Sequence, residues 1–185
     1  MPGNYTVKLT ANGQSFTQPL TVKMDPRVNT PLPGLTQQFS LSLAAYQGMQ
    51  QSFEAVDRIR KLRDQINQAI GKVGRGPLAE ALSTLEKKAA AIGGEGRSDA
   101  TSPGLPGGTI DLRDPNFTRL NGSFSSQLEH LQSADLPPTV PMVTASTELN
   151  KALMKLLADW ETFKKKDVAA MNEQLRAANQ PALNP

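Results

Sequence analysis

The sequence predicts a mainly α protein, an antiparallel four-helix bundle preceded by a β-hairpin. Three observations predict this class. Near the N-terminus, alternating polar and apolar residues flank an Asn-Gly pair, which is a strong signal for a hairpin turn. Four later segments carry apolar residues at steps of three and four, the spacing of one helix face. Gly- and Pro-rich stretches separate the segments, so neighbouring helices are expected to pack antiparallel.

The hairpin is predicted within residues 1–25, with its turn at Asn12-Gly13. Pro19 lacks an N–H group and is therefore expected at a free edge or a bulge. Two strands alone are marginally stable in water, and no later segment has a strand pattern. We therefore expect the hairpin to end a β-sandwich whose other strands lie upstream of this sequence. Its apolar positions are Tyr5, Val7, Leu9, Phe16, Leu20, Val22 and Met24.

The longest predicted element is a helix from Thr36 to Val73, about 50 Å long, which follows an extended, proline-rich linker over residues 26–35. A stripe of this length requires several partner helices. Gly48 lies inside the helix, where it indicates either a close approach of a second helix or simple tolerance of glycine. The stripe is predicted at Phe39, Leu43, Tyr46, Met49, Phe53, Val56, Ile59, Leu62, Ile66, Ile70 and Val73.

A second helix is predicted over residues 77–92, followed by a flexible Gly/Pro/Ser-rich loop at 93–110. The third helix is expected to open with Asp114 as its N-cap and Pro115 as its first helical residue.

The fourth helix is expected to begin at Thr139 or Val140 and to end near Ala178. The bundle thus occupies residues 36–178, and the tail 179–185 is expected to fray. The predicted core packs Phe39, Leu43, Phe53 and Ile59 against Leu149, Leu153, Leu156 and Trp160.

The residue pattern predicts no catalytic, metal-binding or cofactor-binding site. The chain has no Cys, which excludes disulfides and thiolate metal sites. Its one histidine, His130, has only Glu129 beside it, and no G-x-S-x-G motif accompanies the many serines. The carboxylates are scattered rather than paired: Glu80, Glu86, Asp111, Asp114, Glu129 and Asp135.

Charge gives no indication of a nucleic acid or membrane partner. The formal net charge is only +3. Acidic residues surround the run Lys164-Lys165-Lys166, as they do the basic cluster Arg58, Arg60, Lys61 and Arg63, and no aromatic residues alternate with either for base stacking. No apolar run approaches the ~20 residues of a membrane span.

The aromatic residues leave one binding alternative open. Trp160 and Phe163 lie on the same predicted stripe as Leu153 and Leu156, which favours a core position. Together with Tyr46 they would otherwise suit a carbohydrate-binding module. A glycoside hydrolase would instead need two carboxylates roughly 5–10 Å apart in a cleft.

Three segments resemble a recurring C-terminal region of large bacterial proteins. They are residues 2–28, PGNYTVKLTANGQSFTQPLTVKMDPRV, and the motifs LTQQFSLS at 35–42 and YQGM at 46–49. These proteins carry a sortilin-type or BNR/YVTN-type β-propeller and are commonly labelled glycosyl hydrolases. In that family the propeller is followed by an immunoglobulin-like module and a helical tail. The resemblance covers the hairpin, linker and first helix well and the later helices more loosely.

The resemblance implies that the hairpin is left from an immunoglobulin-like sandwich and that any hydrolase activity resides in the propeller, which this sequence lacks. We therefore expect a non-catalytic accessory module, with no cofactor. Its expected partners are the upstream propeller and immunoglobulin-like domains or another protein chain, and the free hairpin edge invites self-association. Family members are expected to be exported, but residues 1–10 lack the apolar core of a signal peptide, so the compartment stays open.

Overall fold

The structure, a computed structural model, describes residues 1–94 and 112–185. It is mainly helical with one two-stranded antiparallel hairpin, which confirms the prediction at that level. Most of the loop predicted at 93–110, and Asp111, lie outside the described residues. The elements are β1 Gly3–Ala11, β2 Gln14–Val22, α1 Leu32–Val73, α2 Pro77–Gly93, α3 Phe117–Gln132, α4 Val140–Phe163 and α5 Ala169–Ala177. A π-helical turn, Lys164–Val168, joins α4 to α5.

The hairpin turns at the predicted Asn12-Gly13 pair, where φ is 50° and 76°. In a two-residue hairpin, hydrogen-bonded and non-hydrogen-bonded pairs alternate outward from the turn-closing pair, here Ala11 and Gln14. Counting back, the Thr6–Pro19 pair is non-hydrogen-bonded, so the nitrogen of Pro19 faces the free edge of β2. This agrees with the edge position expected for Pro19 from the sequence.

Helix α1 begins at Leu32, inside the segment predicted as an extended linker. Pro31 is its N-cap and Pro33 lies in its first turn. The prediction that the linker continues to residue 35 is therefore wrong. The physical reason is that the first N–H groups of a helix have no intrahelical acceptor, so proline costs little there.

The N-terminal half of α1 buries a different face from the predicted stripe. Four predicted core residues are exposed: Phe39, Leu43, Tyr46 and Phe53. Small residues face the interior instead, at Ser42, Ala45, Gly48, Ser52 and Ala55. They let α3 pack closely on α1, which large side chains would prevent.

Gly48 marks the closest approach of α3 to α1. A Cβ atom placed on Gly48 would lie 2.5 Å from Cζ of Phe124, whose side chain is fully buried. Of the two alternatives predicted for Gly48, the close approach of a second helix is therefore the correct one. Beside it, Asn121 of α3 donates Nδ2–H bonds to the Met49 carbonyl oxygen at 2.7 Å and to Ser52 Oγ at 3.1 Å.

The C-terminal half of α1 follows the prediction, because Ile59, Leu62 and Ile66 are buried. They join a core to which every described helix contributes, and the predicted residues of α4 belong to it. Those residues are Leu149, Leu153, Leu156 and Trp160.

The tail is bound rather than frayed, which corrects the expectation for residues 179–185. Leu183 is buried, and its backbone N–H and carbonyl group both bond the side chain of Asn172, at 2.7 and 3.0 Å. The backbone N–H of Asn184 donates to Gln65 Oε1 of α1 at 2.8 Å. The tail is therefore held by the packing of Leu183 in the helical core and by hydrogen bonds with the side chains of Asn172 and Gln65.

The start of α3 also differs from the prediction. Asn116 is the N-cap, and its side chain accepts a 2.9 Å hydrogen bond from the Arg119 N–H group. Asp114 lies before the helix with φ of 47°, a left-handed conformation that Asp tolerates. The prediction that Asp114 is the N-cap and Pro115 the first helical residue is therefore wrong, because the helix begins two residues later. At α4, Thr139 is the N-cap, one of the two predicted positions.

We expect Asn116→Ala to lower the free energy of unfolding by about 0.5–2 kcal/mol, because it removes the acceptor for the Arg119 N–H group. Asp114→Asn is the matched control, since Asn tolerates the same backbone conformation and the cap stays intact. Urea denaturation measures both variants. Equal stability of Asn116→Ala and the unaltered chain would show that the Asn116 side chain does not cap α3.

Candidate interaction surface

The charged side chains of the basic cluster on α1 form salt bridges with neighbouring carboxylates. Arg60 and Lys61 contact Asp57 at 2.6 and 2.7 Å, and Arg63 contacts Glu86 at 2.7 Å. The hydrogen bond from Lys61 holds the pKa of Asp57 below its ordinary value. The basic cluster is thus balanced by local carboxylates, as expected for a solvated helix face.

The lysine run Lys164-Lys165-Lys166 lies at the π-helical turn. Lys164 Nζ contacts Glu161 at 2.6 Å and lies 5.5 Å from the ring centroid of Trp160. The hydrogen bond from Lys164 lowers the pKa of Glu161. Lys164 is therefore engaged within its own helix.

The scattered carboxylates and the histidine stay apart in the described ranges. Among those residues, no group of three His, Asp or Glu side chains could hold a metal ion. His130 is exposed, and its Nδ1 atom lies 2.6 Å from the Ser126 carbonyl oxygen, one helical turn earlier. His130 therefore occupies a hydrogen-bonded position on the surface of α3.

The aromatic pair of α4 belongs to the core. Trp160 and Phe163 stack with ring centroids 5.6 Å apart, and Trp160 is only 3% exposed. A sugar ring could not reach their faces without unfolding the helix. Tyr46, the third residue of the carbohydrate-binding alternative, lies exposed on α1.

The hairpin presents one apolar and one polar face, and both are open to solvent. The β1–β2 register places six large apolar residues on one face, and these are between 40% and 63% exposed. They amount to on the order of 500 Å² of apolar surface, the size of the largest patch on a typical monomer, which is often functional. This apolar hairpin face comprises Tyr5, Val7, Leu9, Phe16, Leu20 and Val22.

The other hairpin face is polar and bonded across the strands. Thr10 pairs with Ser15 and Asn4 with Thr21 through side-chain hydrogen bonds of 2.9 Å. Such pairs stabilise a face that remains in water. The hairpin therefore has the pattern of a sheet with one side against a core, although the described helices leave its apolar side exposed.

A second apolar surface lies on α1, opposite the small residues that pack on α3. We call it the outer α1 face, and its members are between 43% and 66% exposed. The sequence periodicity predicted these residues in the core, but the structure leaves them exposed. The small residues between Ser42 and Ala55 recur at the same spacing, and this signal could have identified the buried face of α1 and so placed the large apolar residues on the surface. The outer α1 face comprises Phe39, Leu43, Tyr46 and Phe53.

A cleft of about 410 Å³ joins the two apolar surfaces. Val22 at the base of the hairpin and Phe39 of α1 both line it. Its polar side chains include Gln38, which donates to the carbonyl oxygens of Leu131 and Ala134, and Asp25, which is paired with Arg27 at 2.6 Å. The side chains of Gln38 and Asp25 are therefore already bonded within the chain.

Comparison with protein-family profiles, curated proteins and solved structures finds no match to this chain. Among the described helices, none is both long and apolar enough to cross a membrane.

Proposed function

We propose that this chain is a non-catalytic accessory module that binds an apolar β-sheet through the apolar hairpin face. The observation that supports this is a well-formed hairpin whose apolar side is uncovered along its whole length. Each strand has nine residues, more than the usual five or six, so backbone hydrogen bonds join the two strands over a long distance. A hairpin of this pattern gains stability once a facing sheet covers its apolar side.

The occupant we propose is the facing sheet of an immunoglobulin-like sandwich. Two sheets of a sandwich pack about 10 Å apart, with apolar side chains of each inner face interdigitating. The apolar hairpin face has this composition and no charged member. The resemblance of residues 2–28 to the end of such a module names the same partner, and the sheet would come from the same longer chain or from another one.

The register also indicates which hairpin edge would take a neighbouring strand. The outward-facing positions of β1 are Asn4, Thr6, Lys8 and Thr10, and each has an N–H group. The equivalent positions of β2 include Pro19, which interrupts the row of donors. The edge of β1 is therefore the better edge for strand addition.

In this proposal the helices form a four-helix bundle that packs against the sandwich or propeller, and any hydrolase activity belongs to the propeller. The helical part carries a continuous core, and its described residues include no group of three His, Asp or Glu side chains that could hold a metal ion. The module would then act through apolar contacts.

The test is to add an immunoglobulin-like module of a family protein, made without its last hairpin, to this chain. Hydrogen exchange resolved by NMR is measured at each hairpin amide before and after mixing. We expect the outward amides of Asn4, Thr6, Lys8 and Thr10 to become at least tenfold more protected, since these donors have no partner within the hairpin. The outward amides of Thr17 and Thr21 on β2 should change little.

Leu9→Asp should abolish this protection, because it places a charge on the apolar hairpin face. Lys8→Asp, a charged substitution on the polar face, is the matched control and should bind as the unaltered chain does. Exchange rates that stay the same on mixing, with the helices still folded, would overturn the proposal.

A further inference from the structure

The sequence contains two Asn-Gly pairs, and the structure places them in different surroundings. Asn12-Gly13 forms the hairpin turn, where both residues are exposed. Asn121-Gly122 lies within α3, beside the contact of that helix with α1. Because Gly has no Cβ atom, it leaves the preceding side chain open to attack by its backbone nitrogen. The two pairs therefore have the same intrinsic chemistry, and only their structural surroundings distinguish them.

The reaction open to such a pair is deamidation through a cyclic imide. The glycine N–H loses its proton to hydroxide, and the nitrogen bonds to the side-chain carbonyl carbon of the asparagine. The side-chain nitrogen leaves as ammonia after it takes a proton from water. Water then opens the ring at one of its two carbonyl carbons. Opening at the side-chain carbon gives aspartate, and opening at the backbone carbon gives isoaspartate, in which the main chain runs through the side chain.

The folded turn holds Asn12 away from this reaction. Its φ of 50° lies in the left-handed region, where a ψ of about +47° turns the nitrogen of Gly13 away from the Asn12 side chain. Ring closure therefore requires the turn to open. Across a two-residue turn the flanking residues Ala11 and Gln14 form the closing pair, so the Gly13 N–H group has no ladder bond that would restrain it further.

Opening the hairpin costs little free energy, because its two strands are held mainly by each other. Every residue of both strands is exposed, and in the described ranges no strand residue belongs to the buried core. A two-stranded hairpin by itself is marginally stable in water. Slow reactions of a folded protein proceed from the population that is locally open. We therefore expect the Asn12 side chain to become reactive while the helices stay folded.

Asn121 is in the opposite situation. Its Nδ2 atom donates to the Met49 carbonyl oxygen at 2.7 Å and to Ser52 Oγ at 3.1 Å. The N–H group of Gly122 lies inside α3, where it bonds the carbonyl oxygen four residues earlier. The ring of Phe124, one turn along the helix, is fully buried against α1. Asn121 can therefore react only when α3 leaves the core.

We propose that Asn12 is a site of spontaneous deamidation whose isoaspartate product breaks the hairpin, and that α3 protects Asn121 from the same reaction. The aspartate product would still suit the turn, because Asp-Gly adopts the same backbone angles. Isoaspartate adds one atom to the main chain of a two-residue turn, so Ala11 and Gln14 can no longer pair in register. The modification does not depend on the proposed function; only the resulting loss of a binding surface rests on it.

The experiment is incubation of the full chain at neutral and at mildly alkaline pH, followed by tryptic digestion. Residues 9–23 and 120–151 fall on separate peptides. Mass spectrometry detects a gain of about 1 Da at each deamidated residue, and enzymatic methylation detects isoaspartate. We expect Asn12 to react at least about tenfold faster than Asn121. In the chain unfolded by urea, the two rates should become similar, since Gly follows both residues.

Thr10→Ala tests whether the reaction passes through the open hairpin. It removes the 2.9 Å side-chain hydrogen bond to Ser15, next to the turn, and leaves both neighbours of Asn12 unchanged. We expect Asn12 to react severalfold faster in this variant, with no change at Asn121. Thr162→Ala is the matched control, because the Thr162 hydroxyl donates only to the Ala158 carbonyl oxygen within α4. It should leave the Asn12 rate unaltered.

Three results would overturn this inference. The first is an Asn12 rate in the folded chain that is no greater than the Asn121 rate. The second is an unchanged Asn12 rate in Thr10→Ala, since the reaction would then not require the hairpin to open. The third is a purified isoaspartate form whose hairpin amides exchange as slowly as those of the unmodified chain.

Discussion

Replacing Leu153 by Asp is expected to lower the free energy of unfolding by several kcal/mol. Leu153 is only 3% exposed, and it belongs to the core shared by α4 with the other helices. A carboxylate at this site would lose its hydration and find no cation among the apolar side chains that surround it. Burying an unpaired charge is among the most destabilising single changes in proteins.

The adjacent residue supplies the control. Met154 is 67% exposed, so Met154→Asp should change the free energy of unfolding by less than about 0.5 kcal/mol. Denaturant titration followed by the fluorescence of Trp160, seven residues after Leu153 on the same helix, measures both variants. Equal midpoints for the two would mean that the buried stripe of α4 is wrongly assigned.

Large aliphatic residues made most of the helical core predictable. In α4, and in α1 after residue 55, the stripe of Leu and Ile is also the buried face. The Asn12-Gly13 turn likewise fixed the hairpin register, because few other residue pairs adopt its backbone angles.

The wrong face predicted for the first half of α1 has a physical cause, which is that hydrophobicity does not measure closeness of packing. Before residue 55, α1 packs through Ser, Ala and Gly, whose low hydrophobicity hides them from a search for apolar stripes. The tail was missed because Leu183 is anchored by the side-chain amide of Asn172, a contact without any periodic signal.

The close contact between Gly48 and Phe124 gives the second large expected effect. Phe124→Ala should lower the free energy of unfolding by about 3–5 kcal/mol, because it empties a fully buried ring site between α1 and α3. Gly48→Ala should also destabilise the chain, despite the higher helix propensity of Ala. Its Cβ would lie 2.5–2.7 Å from three atoms of a ring that has no space to retreat.

Gly122 of α3 is the matched control for the glycine. A Cβ there meets no atom within 4 Å, so Gly122→Ala should stabilise the chain by up to about 1 kcal/mol through helix propensity alone. Opposite signs for the two Gly→Ala changes would separate steric fit from propensity. If Gly48→Ala is stabilising as well, α3 does not approach α1 as closely as the structure shows.

A double-mutant cycle then tests whether the two residues act on each other. Phe124→Leu shortens the side chain that faces Gly48, so Gly48→Ala should cost less in that background than in the unaltered chain. Denaturant titration of the four proteins gives the coupling energy, which we expect to exceed about 0.5 kcal/mol. Additive effects would mean that Gly48 is tolerated rather than required. A clear coupling would show that the small face of α1 is built for close approach, which is what leaves Phe39, Tyr46 and Phe53 outside.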